Sequence, residues 1–156
     1  MRAVVQRVER ARVSVGDEEV GSIDRGILVY LGIGPTDDEA LAHHLAERLA
    51  HLRIFADSAG RMNRSVLEMG GGALVVSQFT LFADLSRGHR PSFMSAGPPE
   101  LGRRLCDRVV DALTGLGVSP VAQGRFGAHM TVDSRNEGPV TIVATTGEPG
   151  WSADCG

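Results

Sequence analysis

Apolar positions along this chain change their spacing in a way that predicts an order of elements. Alternation at Val13 and Val15, a Gly16-Asp17 turn signal, then Val20 and Ile23, and finally the unbroken run Ile27-Leu28-Val29-Tyr30-Leu31 predict consecutive antiparallel strands. A helix is expected next. Thr36-Asp37-Asp38-Glu39 reads as a capping box, and Leu41, Leu45, Leu49 and Leu52 recur at helical spacing to give one apolar face. Residues 53–56 and 73–82 return to strand character, with Gly70-Gly71-Gly72 reading as a tight turn. Pro98-Pro99-Glu100 opens a second helix with Leu101, Leu105, Val109 and Ala112 inward and Gly115 or Gly117 near its end. Short strands are expected over 119–122, 129–132 and 140–145. Strands without regular βαβ alternation predict an α+β fold: a mainly antiparallel sandwich or barrel with two inserted helices.

The 156 residues suit one domain, expected to bury roughly two-thirds of its unfolded surface and to fold without staples. That domain is assigned to residues 1–146, with 147–156 expected to be a loosely ordered tail rich in glycine and small polar residues. An apolar fraction of 42% and a charged fraction of 22% are those of an ordinary globular protein. No apolar stretch reaches membrane-spanning length, and the first residues lack a signal peptide's apolar core, so no membrane partner and a cytoplasmic location are expected. Cys106 and Cys155 form neither a disulfide framework nor a metal-ligand spacing and are read as free thiols.

A net charge of −3 argues against holding nucleic acid mainly by bulk electrostatics. All 16 basic residues are arginine, several of them close together: Arg61 and Arg64, Arg87 and Arg90, and Arg103, Arg104 and Arg108. Arginine suits bidentate phosphate contacts, although a lineage bias toward arginine on every solvated surface is the plainer account. Candidate chemistry is concentrated in two segments. Ser77, Gln78 and Thr80 interrupt an apolar run between Val75-Val76 and Leu81-Phe82, where polar groups need partners. Gly138-Pro139 precedes another apolar run, and there proline gives the ladder no N–H while glycine allows close backbone approach.

Familiar catalytic motifs are missing: there is no Gly-x-Ser-x-Gly elbow, no Walker loop and no dinucleotide fingerprint. His43, His44 and His51 share a helix without metal-pair spacing, and His89 and His129 lie near motifs without forming a cluster. Neither a metal nor a cofactor is expected.

Several collinear segments together resemble the D-aminoacyl-tRNA deacylases of bacteria and eukaryotes. They are Met1 to Val8, Leu52-Arg53-Ile54-Phe55 with Gly60-Arg61-Met62-Asn63, Ser77 to Leu81 with Arg90-Pro91-Ser92-Phe93, Phe126-Gly127-Ala128 with Met130, and Asn136 to Thr141. The resemblance covers residues 1–143; it departs from the family at His129, at Asp133-Ser134-Arg135 and at Glu137, which stands where an aspartate is common. It implies hydrolysis of the ester joining a D-amino acid, or glycine mischarged on tRNA-Ala, to the 3′-terminal adenosine of tRNA. It also implies a homodimer in which Gly138-Pro139 of one subunit, its peptide bond cis, enters the pocket around Ser77, Gln78, Phe79 and Thr80 of the other. The sequence by itself favours a trans bond there.

With that resemblance the site residues acquire expected roles. Backbone N–H groups near Phe79 and Thr80 would stabilise the oxyanion, and carbonyls of Gly138 and Pro139 would receive the ammonium while excluding an L side chain. Gln78 would shape the pocket, Ser77 would bond to backbone, Met130 would contact substrate and Arg7 would brace the Gly-Pro segment. The attacking group is either Thr80 or water assisted by the RNA 2′-hydroxyl, the second favoured by the resemblance. Three other readings remain open: a paralogue acting on L-aminoacyl-tRNA, which Phe79 disfavours; a non-catalytic RNA-binding module; and a hydrolase of free D-amino acid esters.

Overall fold

The first strand shows how the two halves of the core are joined. In the computed structural model, which describes residues 1–147, β1 (Arg2–Val15) turns Ala3 and Val5 toward one apolar cluster and Val8, Ala11 and Val13 toward another. The change of face coincides with register irregularities on either side of Val8 in its pairing with the last strand. Such an irregularity bends a strand and re-aims its side chains.

Antiparallel to β1 run β2 (Glu18–Ile23), along its C-terminal half, and β3 (Gly26–Gly32), along its N-terminal half. Next to β3 lies β6 (Gly72–Ser77) and next to that β7 (Val121–Gln123), both pairings parallel. The remaining short pair, β4 (Phe55–Ala56) and β5 (Met62–Arg64), forms its own ribbon. β7 comes back against β2, where a Cβ placed on Gly21 would lie 3.0 Å from the Gln123 carbonyl, so the sheet is nearly closed.

Parallel neighbours require a crossover, and helices supply both. α1 (Glu39–His51) lies between β3 and β6 in the chain, and α3 (Pro99–Gly115) between β6 and β7. They pack on one face of the sheet through Leu45, Leu49, Leu105, Val109 and Leu113. β3 and β6 are therefore buried twice over: Ile27, Val29, Leu31, Ala73 and Val75 meet the helices, while Leu28, Leu74 and Val76 fill the barrel interior. A strand covered on both faces has no alternation to show, which explains the unbroken run from Ile27 to Leu31.

Several expectations are corrected. α1 is capped by Asp38, whose carboxylate accepts from Leu41 N–H at 2.9 Å, and not by Thr36; Asp37 instead accepts from the Met1 ammonium and from Gly34 N–H, each at 2.6 Å. A third helix, α2 (Val66–Met69), is present beyond the two expected, with a Ser65–Glu68 capping box and Gly70 in the left-handed conformation at its end. The strand expected over 73–82 stops at Ser77 and becomes a 3₁₀ turn, Phe79–Phe82. The strands expected over 129–132 and 140–145 are one strand, β8 (Thr131–Thr145), paired with β1 on both sides of an irregular stretch over residues 137–140. Gly138-Pro139 thus interrupts a strand instead of opening one. The expected tail lies almost wholly outside the described residues, and no helix among those described is long and apolar enough to cross a membrane.

Candidate active site

Where β6 ends, the ladder continues for one more bond, from Gln78 N–H to the Leu31 carbonyl at 2.8 Å, and the chain then tightens into the 3₁₀ turn. The turn's first internal bond is Leu81 N–H to the Gln78 carbonyl at 3.2 Å, followed by Ala83 N–H to the Thr80 carbonyl at 3.0 Å. The N–H groups of Phe79 and Thr80 precede that first bond and have no backbone partner among the described residues. Gln78 Nε2 donates to Thr80 Oγ1, so the threonine hydroxyl is engaged within the turn.

Two residues unrecognised in the sequence hold this turn. Arg2 Nη1 donates to the Leu81 carbonyl at 2.8 Å, with its guanidinium carbon 4.6 Å from the Phe82 ring centroid. Gly32 lets β3 approach, since a Cβ there would lie 2.9 Å from the Gln78 carbonyl and 3.2 Å from Phe82. The available signal was a glycine ending an apolar run.

Beside the turn opens a cavity of about 790 Å³, walled by Ser77, Gln78 and Phe79, by the 93–99 segment, and by Phe126 to Met130 with Val132. Phe79 is 59% exposed and meets the Phe93 ring edge-on at 5.2 Å. Met130 crosses Gly124 closely, its sulfur 2.7 Å from where a glycine Cβ would stand. Cys106 lies in the floor, its thiol pushed up to about 12 by burial and then by Asp107, so it is an inert wall and not a nucleophile. His129 is at the margin. Among the described residues, no three His, Cys, Asp or Glu side chains are grouped to hold a metal ion.

Gly138, Pro139, Arg7 and Thr80 are not in the cavity wall. The Gly138-Pro139 bond is cis, and Gly138 has φ +120°, a conformation that favours glycine. Arg7 Nε donates to the Glu137 carbonyl at 3.3 Å and Arg7 Nη1 donates to the Ile54 carbonyl, which fastens the chain immediately before the pair. The Glu137 carboxylate lies 3.6 Å from Arg7 and 3.4 Å from Arg25. A Cβ on Gly138 would stand 2.9 Å from Val140 Cγ2 and 3.2 Å from Arg7 Nη2.

Register measures the separation of the two centres. Ser77 pairs with Leu31, which pairs with Ala3, whereas the Gly-Pro pair lies opposite Arg7, which pairs with Ile27, the partner of Ala73. The pair is therefore four residues along the strands from Ser77, about 13 Å, and three strands across, about 14 Å. Ser77, Gln78, Phe79 and Met130 come together in one chain; Gly138, Pro139 and Arg7 form a second group on another part of its surface.

Against known proteins, the family model described as D-Tyr-tRNA(Tyr) deacylase matches residues 4–145. The chain belongs to that family. The matched span contains all the residues of the cavity wall and the Gly138-Pro139 pair. A D-aminoacyl-tRNA deacylase of Roseiflexus sp. (strain RS-1) is 60% identical over 143 residues, covering 92% of this chain and 92% of that protein. One from Heliobacterium modesticaldum is 53% identical, covering 92% and 95%. Among solved structures, a chain named c-Myc DNA unwinding element binding protein superposes on this deacylase-family fold with a TM-score of 0.88 at 37% identity, covering 95% of this chain and all of that one.

Proposed function

We propose that the protein is a D-aminoacyl-tRNA deacylase, cleaving the ester between a D-amino acid and the 3′-terminal adenosine of tRNA. The observation that carries the reading is the pair of unpaired N–H donors, Phe79 and Thr80, on a fixed turn at the edge of an apolar cavity. An ester carbonyl directed at them develops its negative charge against preorganised dipoles, a stabilisation of about 3–4 kcal/mol per donor in comparable sites. Water adds to the carbonyl carbon and gives a proton to the neighbouring ribose 2′-oxygen, which hands its own proton on to the ribose 3′-oxygen. Collapse then breaks the bond between the carbonyl carbon and that 3′-oxygen, which leaves as a hydroxyl, and releases the free amino acid. Thr80 serves this step as a positioning residue, because its hydroxyl is bonded to Gln78 and no base is bonded to it.

Chiral selection is assigned to Gly138 and Pro139 of a second copy in a homodimer. Separation of the pair from its own chain's cavity supports this, since within one chain it has no local use at the site. Backbone carbonyls there would hold the ammonium shared by all substrates and leave no room for an L side chain, while glycine, having none, would pass. The same logic makes glycyl-tRNA mischarged on tRNA-Ala a substrate. The reaction belongs in the cytoplasm, where aminoacyl-tRNA is used.

The test is release of amino acid from matched D- and L-aminoacyl-tRNA, expected for the D form only. Gly138→Ala should lower D-substrate turnover by about 100-fold, as misplacement of reacting groups by about 1 Å does. Mixing it with an inactive Gln78→Trp variant should restore activity if each site draws on both chains; a monomer at micromolar concentration, or no restoration in mixed dimers, would sink the shared site. The name of the 37% identical neighbour suggests a non-catalytic nucleic-acid-binding reading instead, which binding without release would favour.

A further inference from the structure

Many of the 16 arginines are already engaged within the fold. Arg7, Arg12, Arg25, Arg108, Arg125 and Arg135 each lie within 4.0 Å of a carboxylate oxygen. Arg103 and Arg104, exposed on α3, form no such pair among the described residues, although they directly follow Gly102 of the cavity wall. Beside the cavity they border a second groove of about 410 Å³, completed by Pro99, Glu100, Asp107 and Phe126. Pro99 and Phe126 belong to both walls, so the two spaces adjoin. Across that shared wall Arg103 stands over the Phe126 ring, its guanidinium carbon 5.3 Å from the centroid. Of the groove's two carboxylates, Asp107 accepts from Gln123 Nε2 at 2.8 Å, and Glu100 makes no ion pair with Arg103 or Arg104 among the described residues.

Resting on the deacylase reading, we propose that Arg103 and Arg104 hold phosphates of the tRNA strand that leads away from the esterified adenosine, the strand leaving the cavity over Phe126. The chemistry fits the residue type: a planar fork of donors matches phosphate oxygens, and an arginine already neutralised by a carboxylate must first lose that partner. A protein of net charge −3 gains phosphate affinity through such local unpaired donors and not through its overall field.

The experiment compares two substrates with the full-length protein: D-aminoacyl-tRNA, and the corresponding 3′-D-aminoacyl-adenosine, which carries the same ester and no phosphate. Arg103→Ala/Arg104→Ala should raise KM for the tRNA substrate about tenfold with kcat unchanged. The slope of log KM against log salt should fall by about 1.4, at about 0.7 per single-strand phosphate contact. Turnover of the adenosine ester should not change, and neither substrate should respond to Arg108→Ala, on the same helix but paired with Glu39. Equal loss on both substrates would overturn the proposal, as would an unchanged KM and salt slope, or an effect confined to Arg87→Ala/Arg90→Ala on the 84–92 loop. If the wild type cleaves neither substrate, the deacylase reading fails and this proposal falls with it; if it cleaves both and the variant matches it, only the phosphate contact fails.

Discussion

Core and cavity rim use the same residue types to opposite ends. Phe55, Leu74 and Leu105 are fully enclosed, whereas Phe79 and Met94 on the cavity wall are 59% and 91% exposed. Burying a large apolar side chain is worth about 1.5–3 kcal/mol, so a rim that leaves two of them in water forgoes stability that the core collects. Phe79 and Phe93 touch each other and the cavity space, Phe93 half-buried and Phe79 left mostly exposed. Apolar surface retained in this way is available to a ligand.

The sharpest way to break the contrast is truncation on each side of it. Phe55→Ala should cost about 3–5 kcal/mol in urea denaturation, since a fully enclosed aromatic leaves a cavity that the helices cannot close. If the rim is built for a ligand, Phe79→Ala should cost only about 1 kcal/mol, the scale of one edge-on aromatic pair. It should nonetheless lower kcat/KM for D-aminoacyl-tRNA clearly. Equal stability losses in the two variants would show that rim and core are not different.

Acid gives the smallest and most local effect. Asp84 is held below the ordinary carboxylate range chiefly by the Ser86 backbone N–H, and Glu68 below it by the Ser65 backbone N–H. A carboxylate with a lowered folded value contributes stability that is complete above its unfolded value, near 4, and is lost as pH falls through the folded one. Between pH 5 and 8, where both carboxylates are ionised, neither should alter stability (about 4 being the unfolded value). Below about pH 4 hydrogen exchange should rise around residues 84–92, and Asp84→Asn should remove that step without changing exchange in β3 or β6. An unchanged acid profile in the variant would show that the loop's hold lies elsewhere.

How much of this was legible follows from where each signal resides. The first three strands, both long helices and the polar interruption at Ser77, Gln78 and Thr80 can be read locally, because burial on one face leaves a period in the sequence. Parallel pairing of β3, β6 and β7 cannot, since a strand covered on both faces looks the same beside either kind of neighbour. The 3₁₀ turn was missed because Phe79, Leu81 and Phe82 continue the apolar run while their backbone has left the sheet. Ser65 and Glu68 did carry a readable cap for α2, and the four residues it starts were too few to show a period. Arg2 escaped notice because its role depends on a carbonyl 79 residues away. The distance between Gly138 and the cavity is likewise a property of register, and no single segment contains it.

β8 also acts as a ruler. Val132 at the cavity margin and Gly138-Pro139 sit on one continuous strand, followed by Val140, Ile142 and Ala144 packed against the core and an exposed Val143. Insertion or deletion of one residue between Val132 and Gly138 would turn each later side chain to the opposite face, sending those three core residues into water and Val143 inward. Substitution along this stretch should therefore be tolerated more readily than a change in its length. The number of residues between the rim and the Gly-Pro pair should thus be a more durable mark of this protein's lineage than the identity of any one of them.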